Sequence, residues 1–271
     1  MQLEEFKKKL QSKKEQLIIT IEDPNSLKKI KYSISNDTTY WRARTLFTKE
    51  PLTIDWLRSF EKNSIFYDIG ANVGMYTIFA ACICDANVYA FEPEANNFQV
   101  LMENIVANNL INKINSFPVG ISNLSSFTTL HLNSFVKGGS HHTVGDSLLD
   151  HNLNNRVSKY KQGIFSTSLD ELIKTWKLPI PNYLKIDVDG IEYKIIEKSD
   201  FLLKNKDLYS ILIELNFNRI EDKKIISKLE SFDFVYNQKQ VEDSNKFIID
   251  QLPKEKLQTH KGYAEFIFYR K

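Results

Sequence analysis

Seven residues, Asp68-Ile69-Gly70-Ala71-Asn72-Val73-Gly74, restrict the fold more than any other part of the chain, because they join an apolar run at Ser64 to Asp68 to a longer one at Met75 to Ala86. The first run has the length of a buried strand and the second that of a helix, so the chain passes from strand to helix through glycine. Gly70 can take turn dihedrals that a side chain would forbid, and its bare backbone lets a ligand approach. Gly74 is expected to let the helix lie against the sheet. In open α/β sheets ligands sit beyond the carboxyl ends of the strands, where this turn lies.

The alternation continues along the chain. Asn87 to Phe91 reads as a second strand, and Ala95 to Asn109 as a helix with Phe98, Leu101, Met102, Ile105 and Val106 on one face. Asn115 to Val119 is a third strand and Thr128 to Leu132 an added one. Ser168 to Trp176 reads as helix, Tyr183 to Asp187 as strand, Ile191 to Leu203 as one helix, Ser210 to Leu215 as an apolar strand and Ile220 to Phe232 as helix. Phe234 to Gln238 and Ala264 to Tyr269 are expected to close one edge as a hairpin. The prediction is an α/β fold, Rossmann-like and doubly wound, with a mostly parallel seven-stranded sheet, an antiparallel C-terminal edge hairpin and an N-terminal helical cap.

The cap is residues 1–60 and belongs to the same domain as 61–271. It holds a first helix near the start, a strand-like Leu17 to Ile21, a polar stretch ending in Tyr40-Trp41-Arg42, and a helix from Leu52 to Phe60. Tyr40, Trp41 and Arg42 either pin the cap to the core or line an acceptor pocket. Between Asn133 and Gly163 a polar stretch containing Lys137-Gly138-Gly139-Ser140-His141-His142 is too long for an idle connection and is the candidate lid.

With 36 Lys plus Arg against 34 Asp plus Glu in 271 residues, the net charge of +2 leaves no broad basic footprint for nucleic acid. The lysines from Lys7 to Lys14 alternate with Glu4, Glu5 and Glu15 and read as a solvated helical face. No apolar run reaches the roughly 18 residues of a membrane span, and the start lacks a secretory apolar core, so a cytoplasmic enzyme is expected. Cys82 and Cys84 are the only cysteines, and their spacing on a helix points them apart as free thiols.

Glu92 ends the second strand 22 positions after Gly70, near the spacing at which an acid reaches the ribose hydroxyls of a bound nucleotide. The dinucleotide fingerprint would have a glycine where Asn72 stands, which argues against a pyrophosphate ligand. A glycine turn with no ligand is the bland reading of the turn alone, and the pairing with Glu92 weakens it.

The blocks Asp68 to Thr77, Tyr89-Ala90-Phe91-Glu92-Pro93, Gly138-Gly139-Ser140, Ser168-Leu169-Asp170 and Leu184-Lys185-Ile186-Asp187-Val188-Asp189-Gly190 occur in this order. Together they resemble the FkbM family of methyltransferases over about Ile65 to Asn216. The resemblance implies an enzyme that takes a methyl group from S-adenosylmethionine to a hydroxyl of a sugar, glycan precursor or similar small molecule. It places the methionine part of the donor at Asp68, Gly70, Asn72, Gly74 and Thr77, and the ribose at Glu92. Ser122, in Gly120-Ile121-Ser122, would flank the adenine, and Asp187 would face both donor and acceptor. Asp189 departs from the family, which commonly has Glu before the glycine.

Transfer of a methyl group is an in-line displacement, helped by alignment in a dry pocket and, for an alcohol, by a base. Asp187, Glu214, and His141 or His142 from the lid are the candidate bases, with His141 ahead of His142, which reads with His131, His151 and His260 as an ordinary histidine unless geometry assigns it a role. Asp187, Glu214 and Asn216 also have the oxygen donors that magnesium or calcium prefers, so a divalent metal is a minority alternative. Two other readings compete: a nicotinamide-dependent oxidoreductase, and a binding module that has lost catalysis. Neither acceptor nor oligomeric state is written in the sequence.

Overall fold

The computed structural model describes residues 17–145, 158–216, 218–252 and 262–271. The expected first helix, His151, His260 and the middle of the candidate lid lie outside the described residues.

The central sheet has seven strands. β3 (Ile65–Ile69), β4 (Asn87–Phe91) and β5 (Ile114–Phe117) run outward on one side of β3, while β10 (Tyr183–Ile186) and β11 (Ser210–Asn216) lie on the other. These five strands are parallel. β13 (Tyr263–Arg270) is inserted antiparallel beside β11, with β12 (Phe234–Tyr236) at the edge. Strand order therefore reverses between β3 and β10, and the crevice beyond their carboxyl ends is the switch point where open α/β sheets take ligands.

Alternation along β3 distributes its residues between two cores. Phe66 joins a cluster with Val88, Ala90, Ile78, Leu101, Trp56 and Tyr32, while Tyr67 and Ile69 join Phe91, Leu184, Ile186, Ile213 and Leu229 on the other face. Helices α3 (Met75–Ile83) and α4 (Ala95–Ala107) cover the first face, and α6 (Glu192–Glu197) and α8 (Ile220–Ser231) cover the second. No helix among the described residues is long and apolar enough to cross a membrane.

Several expectations are corrected. The described part of the cap, from Leu17, is a β-hairpin, β1 (Leu17–Glu22) against β2 (Lys29–Ile34), followed by α1 (Asp37–Arg44) and α2 (Pro51–Arg58). Asn36 starts α1 by accepting the Thr39 amide at 2.8 Å, and Ile30, Tyr32, Ala43 and Leu46 bury it in the first core. The polar stretch after Asn133 is shorter than expected, because β8 (Thr143–Val144) and β9 (Tyr160–Thr167) pair with β7 (Ser126–Leu132) in a second sheet of order β6-β9-β7-β8, where β6 is Gly120–Ile121. Leu130, Leu132, Val144, Ile164 and Ile191 pack beneath it.

The single helix expected over Ile191 to Leu203 is two, α6 and α7 (Asp200–Lys204). Asp170, on α5 (Leu169–Lys174), accepts the Phe201 and Leu202 amides at 2.9 and 3.0 Å, and Ser199 bonds back to the Ile195 carbonyl. A side chain from elsewhere thus caps the second piece, and the back-bonding serine bends the path between them.

The C-terminal strands do pair antiparallel, but α9 (Gln238–Gln251) separates them in sequence, so they form no hairpin. β12 covers only the last part of β13. The Gln240, Ser244 and Asn245 side chains of α9 bond the Tyr263, Glu265 and Ile267 backbone at 2.9 to 3.2 Å along the rest of that edge. A polar helix here does the work of a strand, satisfying backbone groups that a bare edge would leave exposed.

Candidate active site

Gly70 turns the chain out of β3 with φ of +81°, its amide bonded to the Phe91 carbonyl of β4 at 3.0 Å. A Cβ here would stand 1.9 Å from the backbone oxygen of Asp187, so only glycine lets the β3 and β10 loops approach this closely. Gly74 departs from its expected role: a Cβ on it would meet the Leu101 side chain of α4 at 2.4 Å, so it admits a neighbouring helix rather than the sheet.

Every amide hydrogen of this turn is committed within the protein. Gly70 and Ala71 donate to Phe91 O, Asn72 to Glu92 Oε2 at 2.8 Å, Val73 to Asn72 Oδ1 at 2.9 Å and Gly74 to Ala71 O at 2.8 Å. A pyrophosphate needs such amides pointing at it, and this turn offers none.

Two cavities open on either side of the turn. The first, of about 530 Å³, is walled by Ile69, Phe91, Val119, Ile121, Leu130 and Val144, with Glu92, Asn72, Asn97, Ser140, His142, Asp187 and Asp189 as polar groups and, among the described residues, no lysine or arginine in its wall. The second, of about 430 Å³, shares Gly70, Asn72 and Asp187 with the first and adds Arg42, Lys49, Tyr76 and Lys185. A ligand with an apolar planar end and a zwitterionic tail fits the two in succession.

Glu92 is 5% exposed, and its oxygens accept the Asn72 and Glu94 amides, both at 2.8 Å. Burial outweighs these bonds and pushes its carboxyl up to about 7. Each oxygen keeps a further lone pair for a hydroxyl donor.

Asp68 lies beside Lys185 of the second cavity but outside its wall. Its Oδ2 accepts the Thr77 hydroxyl at 2.6 Å, and its buried Oδ1 has no hydrogen-bond partner. Burial raises its pKa despite the Lys185 ammonium. Thr77 is fully buried and serves Asp68 rather than a cavity wall. Lys185, which sequence reasoning missed because it sits inside an apolar strand, is 1% exposed and donates to Asp187 Oδ2 at 2.8 Å. Its ammonium also lies 5.2 Å from the Tyr76 ring centre, and its carboxylate neighbours keep it charged across the neutral range.

The Gly138-Gly139 segment is clasped over the turn. Asn72 and Asn97 donate to Gly139 O at 2.7 and 3.0 Å, Gly138 N donates to Asn97 Oδ1 at 2.7 Å, and Arg42 Nε donates to Gly138 O at 2.7 Å. Asn36 adds a bond to Lys137 O at 3.0 Å. Arg42 therefore both pins the cap and lines a cavity, whereas Tyr40 and Trp41 stay half exposed. Asn36 and Asn97 carry no signal in one sequence beyond their type, which is why they were missed.

Of the sequence candidates, Gly70, Asn72, Glu92, His142 and Asp187 line the cavities, while Asp68, Gly74, Thr77, Ser122, His141 and Glu214 lie outside these two walls. Ser122 instead follows β6, its amide bonded to Thr167 O at 2.9 Å. Asp187 does not cap the next helix, whose N-cap position is held by Ile191 without a side-chain bond. Burial and the facing carboxylates of Asp187, Glu192, Asp189 and Glu50 push Glu214 well above the usual range. Among the described residues no three His, Cys, Asp or Glu side chains are grouped to hold a metal ion, so the metal alternative gains no support. Both cysteines are free.

A family profile described as the methyltransferase FkbM domain matches residues 68–236. The chain belongs to the FkbM methyltransferase family. Its members depend on S-adenosylmethionine, so this FkbM protein is a methyltransferase, and the oxidoreductase reading falls with the missing pyrophosphate nest. It is 26% identical over 208 residues to the hexuronic acid methyltransferase AglP of Haloferax volcanii, covering 74% of this chain and 75% of that one. Among solved structures it is similar to the methyltransferase FkbM of Methylobacillus flagellatus KT, at 13% identity and TM-score 0.47, covering 87% of this chain and 56% of that one. It is also similar to a precorrin-6y C5,15-methyltransferase of Geobacter metallireducens GS-15, at 16% identity and TM-score 0.41, covering 72% and 76%. The chain thus spans a little over half the length of the Methylobacillus protein.

Proposed function

We propose that this methyltransferase holds S-adenosylmethionine across the two cavities and methylates a hydroxyl of a sugar, with sugar acids as the first acceptors to test. The observation that carries the donor placement is Glu92, a buried carboxylate with spare lone pairs in the wall of an otherwise apolar cavity beside a turn with no free amides. Adenine would lie among Phe91, Val119, Ile121 and Leu130, with the ribose hydroxyls donating to Glu92. Arg42 and Lys49 in the second cavity suit the carboxylate of the amino-acid end, and Asp187 between the cavities suits its ammonium. Asp68 Oδ1, which has no hydrogen-bond partner, adds a further acceptor beside Lys185.

Bound in this way, the donor supplies a methyl group on a positively charged sulfur, ready for in-line attack. The protein's part is alignment, exclusion of water and removal of the acceptor proton. The Asp187 and Asp189 carboxylates in the cavity wall offer hydrogen-bond acceptors to a polyhydroxyl compound. The relative from Haloferax volcanii, a hexuronic acid methyltransferase, supports a sugar as that compound.

Labelled donor tested against hexuronic acids, neutral hexoses and nucleotide-linked sugars is expected to place label on a sugar hydroxyl. Label carried only to simple phenols would overturn the sugar assignment and leave the methyltransferase assignment standing.

A further inference from the structure

The clasped segment and the loop after β10 meet at one further point. His141 donates its backbone amide to Asp189 Oδ2 at 2.7 Å, and its ring Nδ1 lies 3.3 Å from Asp189 Oδ1. One carboxylate therefore grips both the main chain and the ring of the same histidine. Both residues are non-glycine residues in the left-handed region, His141 at φ of +63° and Asp189 at +59°. Two such conformations facing each other are held by their surroundings, and strain of this kind gathers at functional sites. Asp189 lines the first cavity, while the His141 side chain is 48% exposed, within reach of a molecule entering from solvent.

We infer that Asp189 is the positioning residue of a His141–Asp189 dyad in which His141 takes the acceptor's proton. The inference rests on the methyltransferase reading above and names the base that reading leaves open. An Nδ1–H held by a carboxylate fixes the tautomer, so the lone pair sits on Nε2 and the ring becomes more basic.

Two of the three other candidates, Asp187 and Glu214, are placed in ways that suit them less, while His142, which lines the first cavity, lacks the paired grip of Asp189 on ring and main chain. Asp187 Oδ2 holds the Lys185 ammonium, and a proton arriving there would strip a buried charge of its partner. Burial and the surrounding carboxylates push Glu214 well above the usual carboxylate range, and its side chain lies outside both cavity walls. In the transfer, an acceptor oxygen lone pair forms the new bond to the methyl carbon while the carbon–sulfur bond breaks, its electron pair neutralising the sulfur. The hydroxyl proton goes to His141 Nε2 and from there to solvent.

The two oxygens of Asp189 divide the work, Oδ1 facing the ring and Oδ2 taking the amide. Asp187, which lines the same cavity as Asp189, adds its carboxylate to the field on the dyad.

Two measurements test the dyad. In the ligand-free protein, nitrogen–proton correlation spectra followed through a pH titration report the tautomer and pKa of His141, assigned by its disappearance in His141→Gln. Asp189→Asn is expected to lower that pKa by roughly half a unit or more and to mix the tautomers, while Asp189→Glu restores most of the wild-type behaviour. In turnover assays His141→Gln should lose roughly 10²- to 10⁴-fold in kcat with unchanged affinity for S-adenosylhomocysteine. Asp189→Asn should lose roughly tenfold or more in kcat, and the acid limb of its pH–rate profile should move to lower pH. A His141 pKa and tautomer indifferent to Asp189, or a His141→Gln enzyme turning over like the wild type, overturns the dyad. A wild-type protein that binds no donor product would instead refute the underlying reading, while the titration pair would still decide whether the dyad exists.

Discussion

Gly70→Ala is expected to lose donor binding altogether and to lower stability by roughly 2–4 kcal/mol, because a Cβ would be driven against a backbone oxygen at a positive φ. The obstacle is Asp187 O, 1.9 Å from where that Cβ would sit. Unlike the end of a flexible side chain, it belongs to the β10 loop that shapes both cavities, so relief must come from moving a strand end. The melting temperature should fall by roughly 5–10 °C in a chain of this size. Gly163→Ala in β9 is the control, since nothing lies within 4 Å of its added Cβ. That variant should melt within about 1 °C of the wild type.

Lys185→Met should be nearly as damaging. Removing a buried ammonium leaves Asp187 and the fully buried Asp68 facing each other without compensation, at a cost of about 3 kcal/mol. This is the low end for breaking a buried pair, because the Asp187 side chain is 34% exposed. The raised pKa of Lys185 means the contribution is present throughout the neutral range and lost only in strong alkali. The loss in the variant should therefore shrink toward acid pH, where the orphaned carboxylates take up protons. Chemical denaturation at pH 7 and pH 5 checks this: a penalty that does not diminish with acidification contradicts the charge-balance account.

The core of the fold was legible because β3, β4, β10 and β11 are short apolar runs bounded by glycine, proline or acid, a pattern that a buried parallel strand imposes. What stayed hidden shares a cause: side chains acting at a distance in sequence. Asp170 caps α7 from α5, and the amides of Gln240 and Asn245 complete an edge of β13. α9 is a polar helix that buries only Val241 and Ser244, so nothing in its composition announced that it completes the edge of β13. The hairpin of β1 and β2 was half hidden for a related reason, since β2 alternates charged and apolar residues only briefly before a polar turn.

The site divides in the same way. Gly70 and Glu92 were readable because a strand-to-helix turn and an acid one strand later constrain each other by spacing. Thr77, expected at the ligand, serves Asp68 instead. Lys185 looked like an interruption of an apolar strand, and Asn36 and Asn97 like ordinary polar residues, until the fold brought them to Asp187 and to the Gly138-Gly139 clasp.

The most direct check on the donor assignment is a calorimetric titration of S-adenosylhomocysteine into the wild type and Glu92→Ala between pH 6 and pH 8, with NAD as comparison. Ribose hydroxyls donate to an ionised Glu92, whose carboxyl is held near 7 by burial, so binding to the wild type should be roughly tenfold weaker at pH 6 than at pH 8. Glu92→Ala should lose at least about 100-fold in affinity together with that pH dependence, and NAD should give no binding heat. A folded Glu92→Ala protein that takes up the nucleoside as tightly as the wild type would contradict the account.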